Sequence, residues 1–340
     1  MTRPAVAVSR FFLRTPRLIL MRSLRRVLLA SLALFLIAPI PETMAEEVWV
    51  AVGYGGRRMI STDGKNWQIT EEWAENGKDD SNNLMGLVYG DGRFVAVGGG
   101  GWSRKSQQGH ILTSEDGRQW KEVKTLANRV NPIAFGDGKF VTMGPPGKSI
   151  YTSTNGETWE VTGKIPYDGW ALWGRHAAFG NGTFLMMGEC EPKKTAYWVA
   201  ATDDGKQVDF RNDLPRLNDL AFGNGIFLGV GGNGTLATSA NGRDWTVGQF
   251  DSNAKRSWVV FDGDRFLVGG GKEVLATVDG KDFVSTDLKM RGKLLWTDGD
   301  RYISTSWPGK MYFSDDGKIW SGGNKLTPNG INQVVHAELD

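Results

Sequence analysis

Three side chains near the middle of the sequence have the types needed for proton transfer: Tyr167, Arg175 and His176. A tyrosine or histidine can accept or donate a proton, while an arginine can neutralise a carboxylate on the substrate. Asp168 follows Tyr167 directly. Arg175 and His176 are neighbours on a predicted strand, so their side chains are expected on opposite faces. These three are the candidate catalytic residues if the protein is an enzyme; otherwise none is predicted.

Other kinds of catalytic or metal site find little support in the sequence. The three histidines, His110, His176 and His336, are far apart and fall on different predicted strands, which argues against a three-histidine metal site. Cys190 is the only cysteine, so an internal disulfide is impossible. A Gly-x-Ser-x-Gly nucleophile motif is absent. We therefore expect neither a metal nor a cofactor.

Tryptophan is abundant, and part of it falls in predicted loops rather than in strands. Flat aromatic faces can stack on sugar rings or pack against a partner protein. The alternative is that these rings only pin long loops onto the domain, and the sequence leaves both readings open. The five candidates for ligand binding are Trp73, Trp102, Trp170, Trp173 and Trp307.

A turn motif repeated seven times shows which elements must position these residues. It has the form Ser/Thr-x-Asp/Asn-Gly-x-x-aromatic and occupies 61–67, 114–120, 153–159, 202–208, 239–245, 277–283 and 314–320, with Val208 as the one non-aromatic end. Asp-Gly and Asn-Gly favour tight hairpins because both residues tolerate positive φ. The turn residues, expected to be structural, are Asp63, Asp116, Asn155, Asp204, Asn241, Asp279 and Asp316.

A second hairpin pattern alternates with the first. It spans 87–98 and recurs at 133–144, 177–188 and 220–230, with looser copies at 259–269 and 295–305. One copy of each pattern makes a four-stranded antiparallel unit. The 37 to 53 residues between successive turn motifs match the blade length of a β-propeller.

The number of strands predicts how the ring closes. Seven turn motifs are present, but only six complete copies of the second hairpin precede them. The segment before the first turn motif, 48–53, matches the second strand of that hairpin, and no first strand precedes it. The missing partner is 331–337, which aligns with 84–90. We predict an all-β, seven-bladed β-propeller of four-stranded antiparallel blades, in which the C-terminal strand pairs with the N-terminal blade.

Alignment of the predicted inner strands places basic residues around the mouth of the central channel. The column before these strands contains Asn83, Arg129, Trp173, Arg216, Lys255, Arg291 and Gly330, and adjacent columns add Arg175, Arg256 and Lys293. Such a ring could focus an electric field on an anionic ligand. Alternatively the cations pair with nearby acids, namely Asp168, Asp213, Asp219 and Asp251. The candidate cations for ligand binding are Arg129, Arg175, Arg216, Lys255 and Arg291.

The seven turn strings resemble the Asp-box, or BNR, repeat of sialidases, of propeller-type photosystem II assembly factors and of many secreted bacterial repeat proteins. The resemblance covers nearly all of 48–337 and implies that the boxes lie opposite the ligand site. Sialidases have six blades and an Arg-Ile-Pro motif before the first box, whereas 48–60 has no such motif and Lys164-Ile165-Pro166 lies far downstream. A non-sialidase member is therefore expected. By analogy, some seven-bladed polysaccharide lyases combine Tyr, His and Arg, which keeps Tyr167, Arg175 and His176 as an alternative.

The beginning of the sequence is typical of a secretory signal. Arg22, Arg25 and Arg26 precede an apolar run at 27–40, and small residues follow at 43–45. We expect 1–20 to be an upstream extension with the true start at Met21, 21–45 to be the signal peptide, and 46–340 to be a single propeller. An uncleaved anchor is the open alternative. Without 1–45 the chain has 33 basic and 37 acidic groups, so its net charge becomes −4 and nucleic acid is not an expected partner.

Together these features predict a secreted or periplasmic, monomeric binding or scaffold protein that contacts an anionic glycan or a protein through its loops. No membrane span is expected after signal cleavage. The alternative is an enzyme acting on an acidic polysaccharide, lyase-like or, less well supported, a sialidase-like glycoside hydrolase.

Overall fold

The computed structural model describes residues 45–73, 82–100, 108–144, 148–169, 171–191, 196–250, 255–270 and 273–339. They form seven four-stranded antiparallel sheets. The innermost strand of each sheet packs against that of the next, and the last packs against the first. The prediction of an all-β, seven-bladed β-propeller is confirmed.

Blades 2 to 7 each use four consecutive strands, ordered from the channel outwards. Blade 2 has β4 Asn83–Gly90, β5 Arg93–Gly99, β6 Gly109–Ser114 and β7 Lys121–Leu126; blade 3 has β8 Ile133–Gly136, β9 Lys139–Gly144, β10 Ser149–Ser153 and β11 Glu160–Lys164. Blade 4 has β12 Ala171–Gly180, β13 Thr183–Glu191, β14 Tyr197–Thr202 and β15 Asp209–Arg211; blade 5 has β16 Leu217–Gly223, β17 Ile226–Gly231, β18 Thr235–Ser239 and β19 Thr246–Gln249. Blade 6 has β20 Trp258–Phe261, β21 Phe266–Gly269, β22 Leu275–Thr277 and β23 Val284–Ser285; blade 7 has β24 Leu294–Thr297, β25 Tyr302–Ser306, β26 Lys310–Ser314 and β27 Ser321–Lys325.

Blade 1 is assembled from both ends of the chain. From the channel outwards its strands are β28 Ile331–Leu339, β1 Glu46–Gly53, β2 Arg58–Ser61 and β3 Gln68–Glu71, with a turn of 3₁₀ helix at Tyr54–Gly56. The last strand in the sequence is therefore the innermost strand of the first blade. Val50 lies opposite Val335 and Glu46 opposite Leu339. This pairing confirms the predicted closure.

Each turn motif is built around the side chain of its Asp or Asn. In the first copy, Asp63 Oδ1 accepts the backbone N–H groups of Lys65 (2.8 Å) and Asn66 (2.7 Å). The Trp67 ring folds back and donates from Nε1 to the Gly64 carbonyl (2.9 Å). Equivalent pairs of backbone bonds reach Asp116, Asn155, Asp204, Asn241, Asp279 and Asp316.

The turns between first and second strands share a face with these motifs. Arg93, which ends one such turn, forms ion pairs with Glu115 (3.2 Å) in the motif of its own blade and with Glu157 (3.0 Å) in that of the next. We call this side the turn face. The opposite side, which carries the connections between blades and between second and third strands, is the loop face.

Neighbouring blades interlock through a glycine and an aromatic ring. Gly136, at the end of β8, lies under the ring of Phe179 in β12, and a Cβ added to this glycine would lie 2.0 Å from the ring. The same relation joins Gly90 to Phe135, Gly180 to Phe222 and Gly223 to Phe261. Glycine is needed at these sites because interior packing leaves no room for a methyl group.

Candidate ligand-binding face

The inner strands surround a cavity of about 210 Å³ on the propeller axis. His176 and Asp219 occupy equivalent places in adjacent blades, and His176 Nδ1 lies 2.9 Å from Asp219 Oδ1. Asp219 also accepts the backbone N–H groups of Leu220 (2.8 Å) and Val259 (3.0 Å). The Asp219 carboxylate therefore holds one nitrogen of the imidazole and ties blades 4, 5 and 6 together.

Arg175 and His176 both line this cavity. The expectation that they point to opposite faces is wrong, because strict alternation is interrupted: Gly174 pairs with Gly188 and His176 with Met187, which leaves Arg175 as the extra residue of a β-bulge. Its guanidinium forms an ion pair with Glu189 (3.1 Å).

Tyr167 lies apart from these two residues. Its ring packs 5.6 Å from that of Phe210, at the outer side of blade 4, and it does not line the axial cavity. Burial, and secondly a hydrogen bond with the Cys190 thiol, raise the pKa of Tyr167. The structure thus brings Arg175 and His176 together and leaves the tyrosine of the candidate triad outside.

Four of the cations predicted at the channel mouth lie on aromatic rings. The guanidinium carbon of Arg129 is 5.1 Å from the centroid of Trp173, and that of Arg175 is 6.0 Å from the same ring. Arg216 lies 5.4 Å from Tyr197, and Arg291 lies 6.0 Å from Tyr312. Cation–π contact of this kind holds an arginine in place without neutralising its charge.

Two of the acids named from sequence have partners other than these arginines. Asp213 pairs with Arg211 (2.8 Å), and Asp219 is bound to His176 and to backbone amides. Asp251 lies outside the described residues. Arg216, Arg291 and Lys255 are exposed. Within the described ranges, Arg216 and Arg291 take part in no ion pair.

Arg256 differs from the other basic residues near the mouth because it is buried. Only 1% of its side chain is exposed, and it lies over Phe250 (5.2 Å) while reaching Glu273 (3.3 Å). It packs blade 5 against blade 6 and is not available to a ligand.

The candidate tryptophans have different environments. Trp73 is half-buried: its ring packs against His110 (4.5 Å), lies under the Arg58 guanidinium (5.1 Å) and covers Gly56. Trp173 is half-buried beneath Arg129 and Arg175. Trp307 is 60% exposed and packs edge to face with Tyr54 (6.0 Å). Trp102 and Trp170 lie outside the described residues.

Several contributors to this face were missed by sequence reasoning. Tyr197 and Tyr312 supply rings for Arg216 and Arg291, while Glu189 and Asp219 partner Arg175 and His176. Both tyrosines stand on third strands, Tyr197 as the first residue of β14 and Tyr312 as the middle residue of β26. Because their positions differ, an alignment of third strands would not have singled them out.

No group of His, Cys, Asp and Glu that could hold a metal ion occurs among the described residues. Cys190 is buried. His110 contacts Glu122 (2.8 Å), and His336 packs against Trp49 (4.9 Å). In the same part of the chain, no helix is long and apolar enough to cross a membrane.

Comparison with known proteins supports the fold alone. No family model and no curated protein matches the sequence. Among solved structures, YCF48 bound to a D1 peptide aligns with a TM-score of 0.52 at 16% identity, covering 86% of this chain and 88% of the other. A streptogramin B lyase aligns with a TM-score of 0.55 at 12% identity, covering 76% and 87%. The designed protein Ika8 aligns with a TM-score of 0.53 at 13% identity, covering 81% and 84%. The chain is a β-propeller similar in fold to these proteins.

Proposed function

We propose that this protein is a non-catalytic binding module that recognises an anionic ligand through its loop face. One observation carries the proposal: arginines from several blades lie on aromatic rings, Arg216 on Tyr197 and Arg291 on Tyr312 among them. A guanidinium that rests on a ring keeps its edge N–H donors available for a carboxylate or sulfate. The rings fix the donors before the ligand arrives, which reduces the entropic cost of binding.

The charge balance of the loop face supports the same proposal. Three acids described on this face are paired with cations other than Arg216 and Arg291: Glu189 with Arg175, Asp213 with Arg211 and Glu273 with Arg256. The two exposed arginines therefore add a positive potential to the loop face.

The proposal extends to the family, the cellular compartment and the partner of this protein. The seven turn motifs support membership of the Asp-box superfamily as a non-sialidase, and residues 21–45 support secretion or a periplasmic location. The partner would be an acidic glycan or a protein. The YCF48 structure, which contains a bound peptide, is an example of a ligand held by a similar fold.

The test of this proposal removes the positive charges of three arginines. Combined substitution of Arg129→Gln, Arg216→Gln and Arg291→Gln is expected to abolish retention of the protein on immobilised polygalacturonate and polyglutamate at physiological salt. The matched control removes three cations from the turn face, Lys65→Gln, Arg265→Gln and Lys281→Gln, and should be retained like the wild type. Equal behaviour of the two triple variants would contradict the proposal.

A catalytic alternative is favoured by one observation, the contact between His176 and Asp219. A carboxylate that holds Nδ1 leaves Nε2 to exchange a proton within the cavity. The substrate would be an acidic polysaccharide, with Arg175 close to its carboxylate. Lyase action creates an absorbing double bond in the product, so accumulation of unsaturated uronides that stops in His176→Gln would establish the alternative over the non-catalytic proposal.

A further inference from the structure

A strip of aromatic and polar side chains leads from the chain that enters blade 7 to blade 1. It starts at Arg291, whose guanidinium lies 6.0 Å from the Tyr312 ring. The Tyr312 hydroxyl is 3.4 Å from Ser306 Oγ. Trp307 follows Ser306 in the chain and contacts Tyr54, with 6.0 Å between ring centroids. We call these five residues the blade 7 strip.

Trp307 is both exposed and firmly seated. Sixty per cent of the residue is open to solvent. Its ring meets that of Tyr54 at 84°, and the two rings enclose Gly330, where an added Cβ would lie 3.1 Å from Tyr54 and 3.4 Å from Trp307. The Tyr54 backbone N–H is bonded to the Gly330 carbonyl (3.2 Å). A ring held in this way presents an aromatic surface, and its side chain loses little conformational entropy when a ligand binds.

Trp307 lies apart from the other large apolar side chains that are exposed in the described residues. The other large apolar side chains that are exposed in the described part of the chain lie on outer strands, in the turn motifs or in the channel: Ile69, Val161, Val247, Val278, Val284, Leu294 and Ile319. Protein interfaces bury their hot-spot residues within an apolar core. An indole isolated in this way fits better to a sugar, whose ring C–H groups carry partial positive charge that complements the negative aromatic face.

We propose that the blade 7 strip is a subsite for a polyuronate, an acidic glycan with a carboxylate on each sugar. One sugar ring stacks on Trp307 while the carboxylate of another sugar is bound by Arg291. The planar guanidinium suits a carboxylate because two N–H donors match its two oxygens. This inference rests on the proposed function and names the ligand class that the loop face takes.

The experiment is isothermal titration calorimetry of the purified protein with galacturonate oligomers, with the same oligomers methyl-esterified, and with polyglutamate of similar charge. The wild type is expected to bind the free acid and to bind the ester much more weakly. Trp307→Ala should weaken binding of the acid by about tenfold or more, and Trp307→Tyr should recover part of the loss. Arg291→Gln should remove most of the preference for acid over ester. The turn-face controls Ile319→Ala and Arg265→Gln should bind like the wild type.

Two results would overturn this inference. The first is unchanged affinity for galacturonate in Trp307→Ala, and the second is equal affinity of the wild type for acid and ester. If polyglutamate binds through Arg129, Arg216 and Arg291 while galacturonate does not bind, the subsite is wrong and the proposed function stands. If neither polyanion binds, both are wrong.

Discussion

Asn332, near the start of the last strand, donates from Nδ2 to the backbone carbonyl of Leu84 (2.7 Å), in the blade next to its own. Asn218 makes the equivalent bond to the Arg256 carbonyl (2.7 Å). Asn131 makes it to the Gly174 carbonyl (3.0 Å). Side-chain amides in or just before inner strands thus link neighbouring blades, and Asn332 does so across the closure of the ring.

The first prediction concerns this closure. Deleting 331–340 removes β28, exposes the inner edge of β1 and breaks the bonds of Asn332, so we expect cooperative thermal unfolding to be lost. Asn332→Ala keeps the strand and should lower the free energy of unfolding by about 1–3 kcal/mol, because the Leu84 carbonyl and the Asn83 side-chain oxygen lose their donor. Asn212→Ala, at an exposed site, is the control. A deletion variant that melts like the full chain would contradict the closure.

The second prediction tests the interlock between blades. Gly136→Ala forces a methyl group against the Phe179 ring, and we expect a loss of about 1–3 kcal/mol in chemical denaturation, as for other overpacked interiors. Gly248→Ala is the matched control: this glycine is also in a strand, and its nearest obstacle is a Leu236 methyl carbon at 3.7 Å. Equal stability of the two variants would show that the contact between Gly136 and Phe179 accommodates a methyl group and is not tightly packed.

The third prediction is an acid sensitivity caused by the turn motifs. Burial alone would raise the pKa of Asp63, but hydrogen bonds from Asn66, Lys65 and Ser61 outweigh it and lower the pKa to about 2. Backbone amides of the turns also lower the pKa values of Asp204, Asp279 and Asp316.

A carboxyl whose pKa is lower in the folded than in the unfolded chain stabilises the fold above its unfolded pKa. That stabilisation disappears as the pH falls through the folded pKa. We therefore expect the melting temperature to drop between about pH 4 and pH 2. Asp63→Asn should make this drop shallower, because Asn155 and Asn241 fill the same role without titrating. A variant with the same acid profile as the wild type would argue against the turn carboxylates as the cause.

The fourth prediction separates two tryptophans by role. Trp73→Ala should destabilise the protein by about 2–4 kcal/mol, because the ring packs on His110, Arg58 and Gly56. Trp307→Ala should change stability by less than about 1 kcal/mol, since the ring is largely exposed. Denaturant titrations of both variants give the comparison, and the opposite ranking would contradict the assigned roles.

Sequence reasoning predicted the fold well because its signals are local. Asx-Gly turns and alternating hairpins are written within a few residues, and the absent first strand before 48–53 was enough to assign β28 to blade 1. The site was predicted less completely because its contacts join distant positions. Tyr197 meets Arg216 from another blade, and Asp219 meets His176 from the next inner strand. The β-bulge at Arg175 has no sequence signal of its own, yet it decides that Arg175 shares a cavity with His176.

The split blade also determines from which side the propeller can be attached to anything else. Glu46 at the start of β1 and Leu339 at the end of β28 are paired, and the contact of Glu46 with Arg118 in a turn motif places the start of β1 and the end of β28 on the turn face. A surface, tag or fused domain joined directly before Glu46 or directly after Leu339 therefore approaches from behind the loop face. A propeller immobilised at either of these two positions keeps Arg291 and Trp307 oriented towards the solution.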